Sequence, residues 1–340
     1  MFTYLNIRKI SRVQDWWGYK LSLFLAIAYA TMLIINVNFF QIGYWVLILL
    51  TSLIIGAAYV SIINDITDIK HDHAAGKSNY MANLSLSTRL ALAAFCVITG
   101  GIFMCAFYSD KISLCLYIMS WVAFSLYSIP PVRLKTKGIW GVFADACGAH
   151  LFPSCLIIAS LYHFMAKPVN WLWFTTVAIW ALMLGLRGIL SHQFDDRQKD
   201  IAAGVNTYAS KIEPNSFKIK AKLLIIIELA ALALMLIIIK NAFITAFLLL
   251  YVSYALLRYR LYKTRVIIII LNEKKNYRVL MNEYYQVFFP ISVLLYIAIH
   301  QPYGWILLLL HIIVFHKIMY LTFNEVFTIN TFRRFIQYIK

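Results

Sequence analysis

Helix-length apolar runs separated by short polar connections dominate this chain. They fall at roughly Leu21–Ile35, Tyr44–Ile63, Leu90–Phe107, Ile112–Leu126, Ile139–Tyr162, Trp171–Leu190, Leu223–Ile239, Ala242–Leu257, Tyr285–Ile299 and Trp305–Phe323. Most are apolar on every face, as helices surrounded by lipid or by other helices must be. The pattern predicts an all-α, polytopic membrane bundle of nine or ten transmembrane helices. Residues 266–271, V-I-I-I-I-L, are too few to span and read as an interfacial segment. So does the N-terminal stretch, where Arg8, Lys9 and Arg12 precede Trp16 and Trp17.

Composition agrees. The 340 residues are 62% hydrophobic and 13% charged, whereas soluble domains are nearer half and a quarter. The net charge of +17 does not imply nucleic acid, because the basic residues lie in the connections. Only Lys111, Lys167 and Lys240 occupy odd-numbered connections. The positive-inside rule therefore expects a cytoplasmic N-terminus, with the even connections on the same side. That suits an integral multi-pass protein of a bacterial inner membrane. No signal peptide is expected; the first span directs insertion. The five cysteines, Cys96, Cys105, Cys115, Cys147 and Cys155, sit in apolar runs without C-x-x-C and read as small core residues.

Charge is concentrated at two places. N-D-I-T-D-I-K-H-D, Asn64 to Asp72, closes the second run. Its Asp65, Asp68 and Asp72 share one helical face. The sixth run ends in a second acidic stretch with Asp195, Asp196 and Asp200. With only 14 Asp and Glu in the chain, such grouping calls for cations. Mg2+, which takes carboxylates together with phosphate oxygens, is the expected one. Between the two lies Y-S-I-P-P-V-R-L-K, Tyr127 to Lys135, where Pro130-Pro131 ends a helix and presents Arg133 and Lys135. Both acidic stretches run into similar segments, H-A-A-G-K-S-N and I-A-A-G-V-N-T, as an internal repeat would. Two acidic clusters with nearby Arg and Lys make a diphosphate site opening into an apolar bundle. A ligand with a diphosphate head and a hydrocarbon tail fits it, and ionisation of that head is the chemistry it suits.

At these residues the chain resembles the UbiA superfamily of intramembrane prenyltransferases. N-D-I-T-D-I-K-H-D is similar to its N-D-x-x-D-x-x-x-D signature. Asp196 to Asp200 is similar to its second D-x-x-x-D, and Tyr127 to Lys135 to its Y-S-x-P-P-x-R-x-K turn. The resemblance implies a single transmembrane domain over 1–340 around a central cavity, with a motif-bearing core at about 10–210 and C-terminal helices at 223–323. It implies Mg2+ held by Asp65, Asp68, Asp72, Asp196 and Asp200. It implies diphosphate contacts from Asn64, Arg133 and Lys135, and Tyr127 near the reacting carbon. Lys77 is placed to close over the phosphates. The implied activity is prenyl transfer from a prenyl diphosphate to an aromatic or lipid acceptor, with membrane lipids around the protein and no nucleic acid. The chain departs from the family pattern in two places: it carries His192 and Gln193 ahead of the second motif, and G-K-S-N-Y where an Arg-Pro-Ile-like run is common. Asp195 is a candidate substitute.

Two other activities of the superfamily stay open: phosphoribosyl transfer to a polyprenyl phosphate, and cyclisation of the prenyl chain. A cation-coupled transporter is the rival from another class; it expects acids near mid-bilayer rather than at span ends. Asp145 and His150, inside the fifth run, are functional candidates by position. Arg187 either faces the phosphates or snorkels outward. His311 and His316 read as structural, and the basic stretch Arg258–Arg278 as a lipid-facing anchor.

Overall fold

The structure is a computed structural model that describes residues 8–74, 76–202, 204–271 and 276–325. The basic positions Lys274, Lys275, Arg333, Arg334 and Lys340 lie outside the described residues. Among those described, nine helices are long and apolar enough to cross a membrane. They are α1 (Trp17–Ile35), α2 (Phe39–Ala74), α3 (Leu86–Phe107), α4 (Lys111–Ser128), α5 (Ile139–Phe164), α6 (Trp171–Asp195), α7 (Pro214–Ile239), α8 (Ala242–Tyr262) and α9 (Gly304–Phe323). A tenth apolar helix, Tyr284–His300, is shorter. The fold is that of an all-α integral membrane protein.

Several helices are longer than their apolar runs because polar ends extend them. The second apolar run ends near Ile63, and α2 continues past it as one 36-residue helix through the acidic stretch, whose acids the spacing places on one helical face. Helix starts are capped by side chains that satisfy free amides. Asp110 accepts from the amides of Ile112 and Ser113 at 3.1 and 3.2 Å, and Asn170 accepts from that of Trp173 at 3.0 Å. Asn36 ends α1 in the left-handed region. A π-helical turn, Cys147–Leu151, interrupts α5.

By contacts the chain forms two compact units. One holds Ile42–Met235 with the N-terminal residues through Trp16; the other holds Trp17–Gln41, Leu236–Ile268 and the C-terminal residues. All three sequence motifs belong to the first. In it, Gly141 packs so close to the loop after α4 that a Cβ there would lie 2.6 Å from the Leu134 carbonyl oxygen.

The second unit corrects two expectations. Arg258 is not a lipid-facing anchor: it is 1% exposed and forks onto Glu283 with two 2.7 Å bonds. Arg278 joins Glu283 and Glu325. The interfacial segment begins in a short parallel strand pair, Arg265–Ile267 with Tyr277–Val279. His311 is structural, as expected, buried beside the hydroxyls of Ser22 and Tyr29. Of the cysteines, Cys96 and Cys155 are buried, but Cys105 and Cys115 lie on exposed faces.

Candidate active site

The acids of α2 come to one face because three- and four-residue steps return to the same side of a helix. Each meets a polar partner. Asp65, 8% exposed, accepts from the Arg12 guanidinium at 3.3 Å. Asp68 accepts from Arg133 at 2.7 Å and also from Lys135. Asp72 accepts from the side-chain amide of Asn79 at 2.7 Å. Asn64 accepts from Lys135 Nζ at 3.0 Å and from Ser128 Oγ at 3.4 Å.

Arg133 and Lys135 reach Asp68 because the chain turns sharply after α4. The Pro130–Pro131 bond is cis, the Arg133 amide donates to the Ile129 carbonyl at 2.9 Å, and Arg133 itself sits at φ 40°. A non-glycine residue in that region is strained and needs surroundings that hold it. Lys135 is buried. Burial pulls its ammonium below the ordinary lysine value, against the charge of Asp68.

The second acidic stretch follows α6. Lys77, in the connection after α2, bridges to it: Nζ lies 3.0 Å from Asp196 and 3.8 Å from Asp200. Burial opposes the charge on Lys77. The bond and charge of Asp196, with Asp200 and Asp72, outweigh it and hold the ammonium above its ordinary value. For Asp196, burial is likewise outweighed, by Lys77 and by the neighbouring His192 and Lys199, so its carboxyl titrates below the usual range. Asp200 goes the other way. Burial, reinforced by Asp196, raises it despite Lys77.

Tyr127, on the last turn of α4, lies within electrostatic reach of Asp145, Asp68 and Asp200. Asp145 lies one turn along α5 from Gly141, the glycine packed on Leu134 and Lys135. His150 lies in the π-helical turn.

Three candidates fall elsewhere. Arg187 neither faces the acids nor snorkels. It is 1% exposed and forks onto the fully buried Glu228 at 2.8 Å twice. Gln193 is buried and takes the Ala209 amide at 3.3 Å, supporting the loop that follows. Asp195 is exposed, one residue off the face that Asp196 uses.

The sequence reading missed Arg12, Asn79 and Thr207. Arg12 looked like one more interfacial cation, and only the tertiary fold brings it to Asp65. Asn79 and Thr207 had a signal: they occupy the same place in the two repeated segments after the acids.

The donor chemistry of these acids is all oxygen, which suits a hard cation such as Mg2+. Among the described residues no three His, Cys, Asp or Glu converge closely. Around these acids stand Arg12 on Asp65, Arg133 and Lys135 on Asp68, and Lys77 on Asp196 and Asp200.

The family model described as the UbiA prenyltransferase family matches residues 22–282. The chain belongs to this family. Solved structures with the same fold include a UbiA homolog from Archaeoglobus fulgidus bound to GPP and Mg2+. It is 16% identical, with a TM-score of 0.56 over 89% of this chain and 99% of that one. The same homolog bound to DMAPP and Mg2+ gives 14% identity and a TM-score of 0.57, over 89% of this chain and 98% of that one. A further structure of the homolog gives 16% and 0.57, over 88% and 98%. A comparison with curated proteins finds no match. Against the UbiA family pattern, the three motifs of this chain gather in one unit, and Lys77 stands in the segment where the chain departs from it.

Proposed function

We propose that this UbiA-family protein is a Mg2+-dependent prenyltransferase. It moves a prenyl group from a prenyl diphosphate to an aromatic or lipid acceptor. The observation that carries the reading is the Lys77 bridge to Asp196 and Asp200, together with the Arg133–Asp68–Lys135 cluster. These contacts tie the connection after the first acidic motif to the second motif, and the basic turn to Asp68. Relatives of the same fold bind GPP or DMAPP with Mg2+.

In this reading Asp65, Asp68 and Asp72 hold one Mg2+, and Asp196 and Asp200 the other. When bound, Mg2+ neutralises the charge that builds on the leaving diphosphate. Arg133 and Lys135 turn from Asp68 to the phosphate oxygens, Arg133 as a planar fork and Lys135 as a point charge. Asn64 and Ser128 keep Lys135 oriented. The donor's C–O bond breaks, and diphosphate leaves with the electron pair. Tyr127 turns its ring to the carbocation that remains. The acceptor captures that carbon and gives up a proton. Asp145 stands within electrostatic reach of Tyr127. The acids sit at the end of a long helix rather than at its middle, which suits a surface reaction better than transport. The positive-inside rule applied to the basic connections supports a cytoplasmic position for this end.

The test is turnover by the full chain in detergent with Mg2+. Radiolabelled prenyl diphosphates of several lengths and phosphoribosyl diphosphate are offered with a membrane lipid extract. Diphosphate release from a prenyl donor, lost in Asp68→Ala and with EDTA, is expected. Label moving only from phosphoribosyl diphosphate would transfer the reading to that donor.

A further inference from the structure

The two acidic motifs end in the same way. After the first, the Lys77 amide donates to the Asp72 carbonyl at 2.8 Å and the Gly76 amide to that of His73 at 3.2 Å. After the second, the Val205 amide donates to the Asp200 carbonyl at 2.8 Å and the Gly204 amide to that of Ile201 at 3.1 Å. Gly76 and Gly204 take φ of 64° and 67°. This paired bonding around a left-handed glycine is the Schellman turn, and it folds the chain back along the helix it ends. The residue seven past the last acid therefore returns beside it.

In both motifs that residue does the same two things. Asn79 Nδ2 donates to Asp72 Oδ2 at 2.7 Å, while its Oδ1 accepts from the Met81 amide at 3.0 Å. Thr207 Oγ1 donates to Asp200 Oδ2 at 3.3 Å and accepts from the Ser210 amide at 3.3 Å. The second Nδ2 hydrogen of Asn79 reaches the Asp65 carbonyl at 2.8 Å, so both donors of that amide are used. The remaining oxygen of Asp200, Oδ1, is the one facing the Lys77 ammonium at 3.8 Å.

We propose that Asn79 and Thr207 are matched positioning residues, each fixing one oxygen of the last Asp of its motif and leaving the other for a divalent cation. The proposal rests on the metal-binding reading above and deepens it. Groups that orient a metal-binding carboxylate typically change metal affinity about 10–100-fold when removed. Asn79 makes the shorter bond and ties Asp65 as well, so the first motif depends on it more than the second does on Thr207.

The experiment is a titration of the full chain in detergent with Mn2+, followed by electron paramagnetic resonance without substrate. Asn79→Ser keeps an oxygen to cap the turn but loses the amide donor. Thr207→Val removes the hydroxyl at constant shape, and Thr207→Ser restores it. The expected result is Mn2+ affinity about 10-fold or more weaker in Asn79→Ser and Thr207→Val, and near wild type in Thr207→Ser. Wild-type affinity in both of the first two variants would reduce Asn79 and Thr207 to turn caps and overturn the proposal alone. Failure of the wild-type protein to bind Mn2+ would instead overturn the metal reading, and this proposal with it.

Discussion

Lys77 and Asp196 stand 119 residues apart in the chain, with Lys77 Nζ 3.0 Å from Asp196 Oδ2. This bond ties the connection after α2 to the end of α6 and so links the two acidic motifs directly. A tethered ammonium between carboxylates competes with a divalent ion for them. Lys77→Met is expected to bind Mn2+ several-fold more tightly in the free protein, and to need a higher prenyl diphosphate concentration for half-maximal turnover. Weaker Mn2+ binding in the variant would contradict the competition.

The pH dependence follows from the shifts. Lys77 is raised, so its contribution is complete below the ordinary lysine range and is lost only as pH rises through its higher folded value. Asp196 is lowered, so its contribution is present above the ordinary Asp range and is lost as pH falls through its lower folded value. Within the second motif Asp200, raised, takes up its proton before Asp196 on acidification. Mn2+ affinity at the second motif is therefore expected to fall in two steps as pH drops, the upper one belonging to Asp200. A titration of Asp200→Asn lacking that upper step confirms the assignment; one that keeps it refutes it.

Gly141 is a steric test of how the basic turn is held. A Cβ at this position would meet the Leu134 carbonyl at 2.6 Å and Lys135 Cα at 2.8 Å, both backbone atoms. Gly141→Ala must push the turn off α5, at a cost of about 1–3 kcal/mol. The half-saturating concentration of prenyl diphosphate should rise, because Arg133 and Lys135 move with the turn. Gly101→Ala, with nothing within 4 Å, is the control and should leave it unchanged.

Arg187 and Glu228 test the buried scaffold. Removing one partner strands a charge, so Arg187→Met should lower stability by about 3–5 kcal/mol, read as a lower thermal midpoint in detergent. The double variant Arg187→Met/Glu228→Met should recover most of it. No recovery would place the loss in packing rather than in the ion pair.

Much of this site was legible in the sequence because it is local. Three acids on one helical face, a Pro-Pro turn with alternating basic residues and a second acidic pair all declare themselves by spacing. The spans were legible too, since lipid demands long apolar runs. The limits of α2 were not. Its last turns are polar, so hydropathy stops near Ile63 and only the spacing of the acids reads helix beyond it, without marking where it ends. Pairings across the fold were also closed. Nothing near Arg12 points to Asp65, and the sequence reads Arg187 as facing the phosphates or snorkelling outward because its partner lies 41 residues further on. Asn79 and Thr207 lay between: the repeat was visible, but the Schellman geometry that gives it meaning was not.

The unbroken run of α2 has a mechanical consequence. At 36 residues the helix is about 54 Å long, while the hydrocarbon layer is about 30 Å thick. One stiff rod is thus both anchor and mount for Asn64 to Asp72, with no joint between them. Any tilt imposed by the surrounding bilayer is transmitted to the carboxylates as a change in height above the acyl chains. Lipid thickness then becomes a lever on the distance between Asp68 and a donor whose tail is confined to the membrane plane. Turnover in vesicles of graded acyl length should pass through a maximum, where rod and bilayer match.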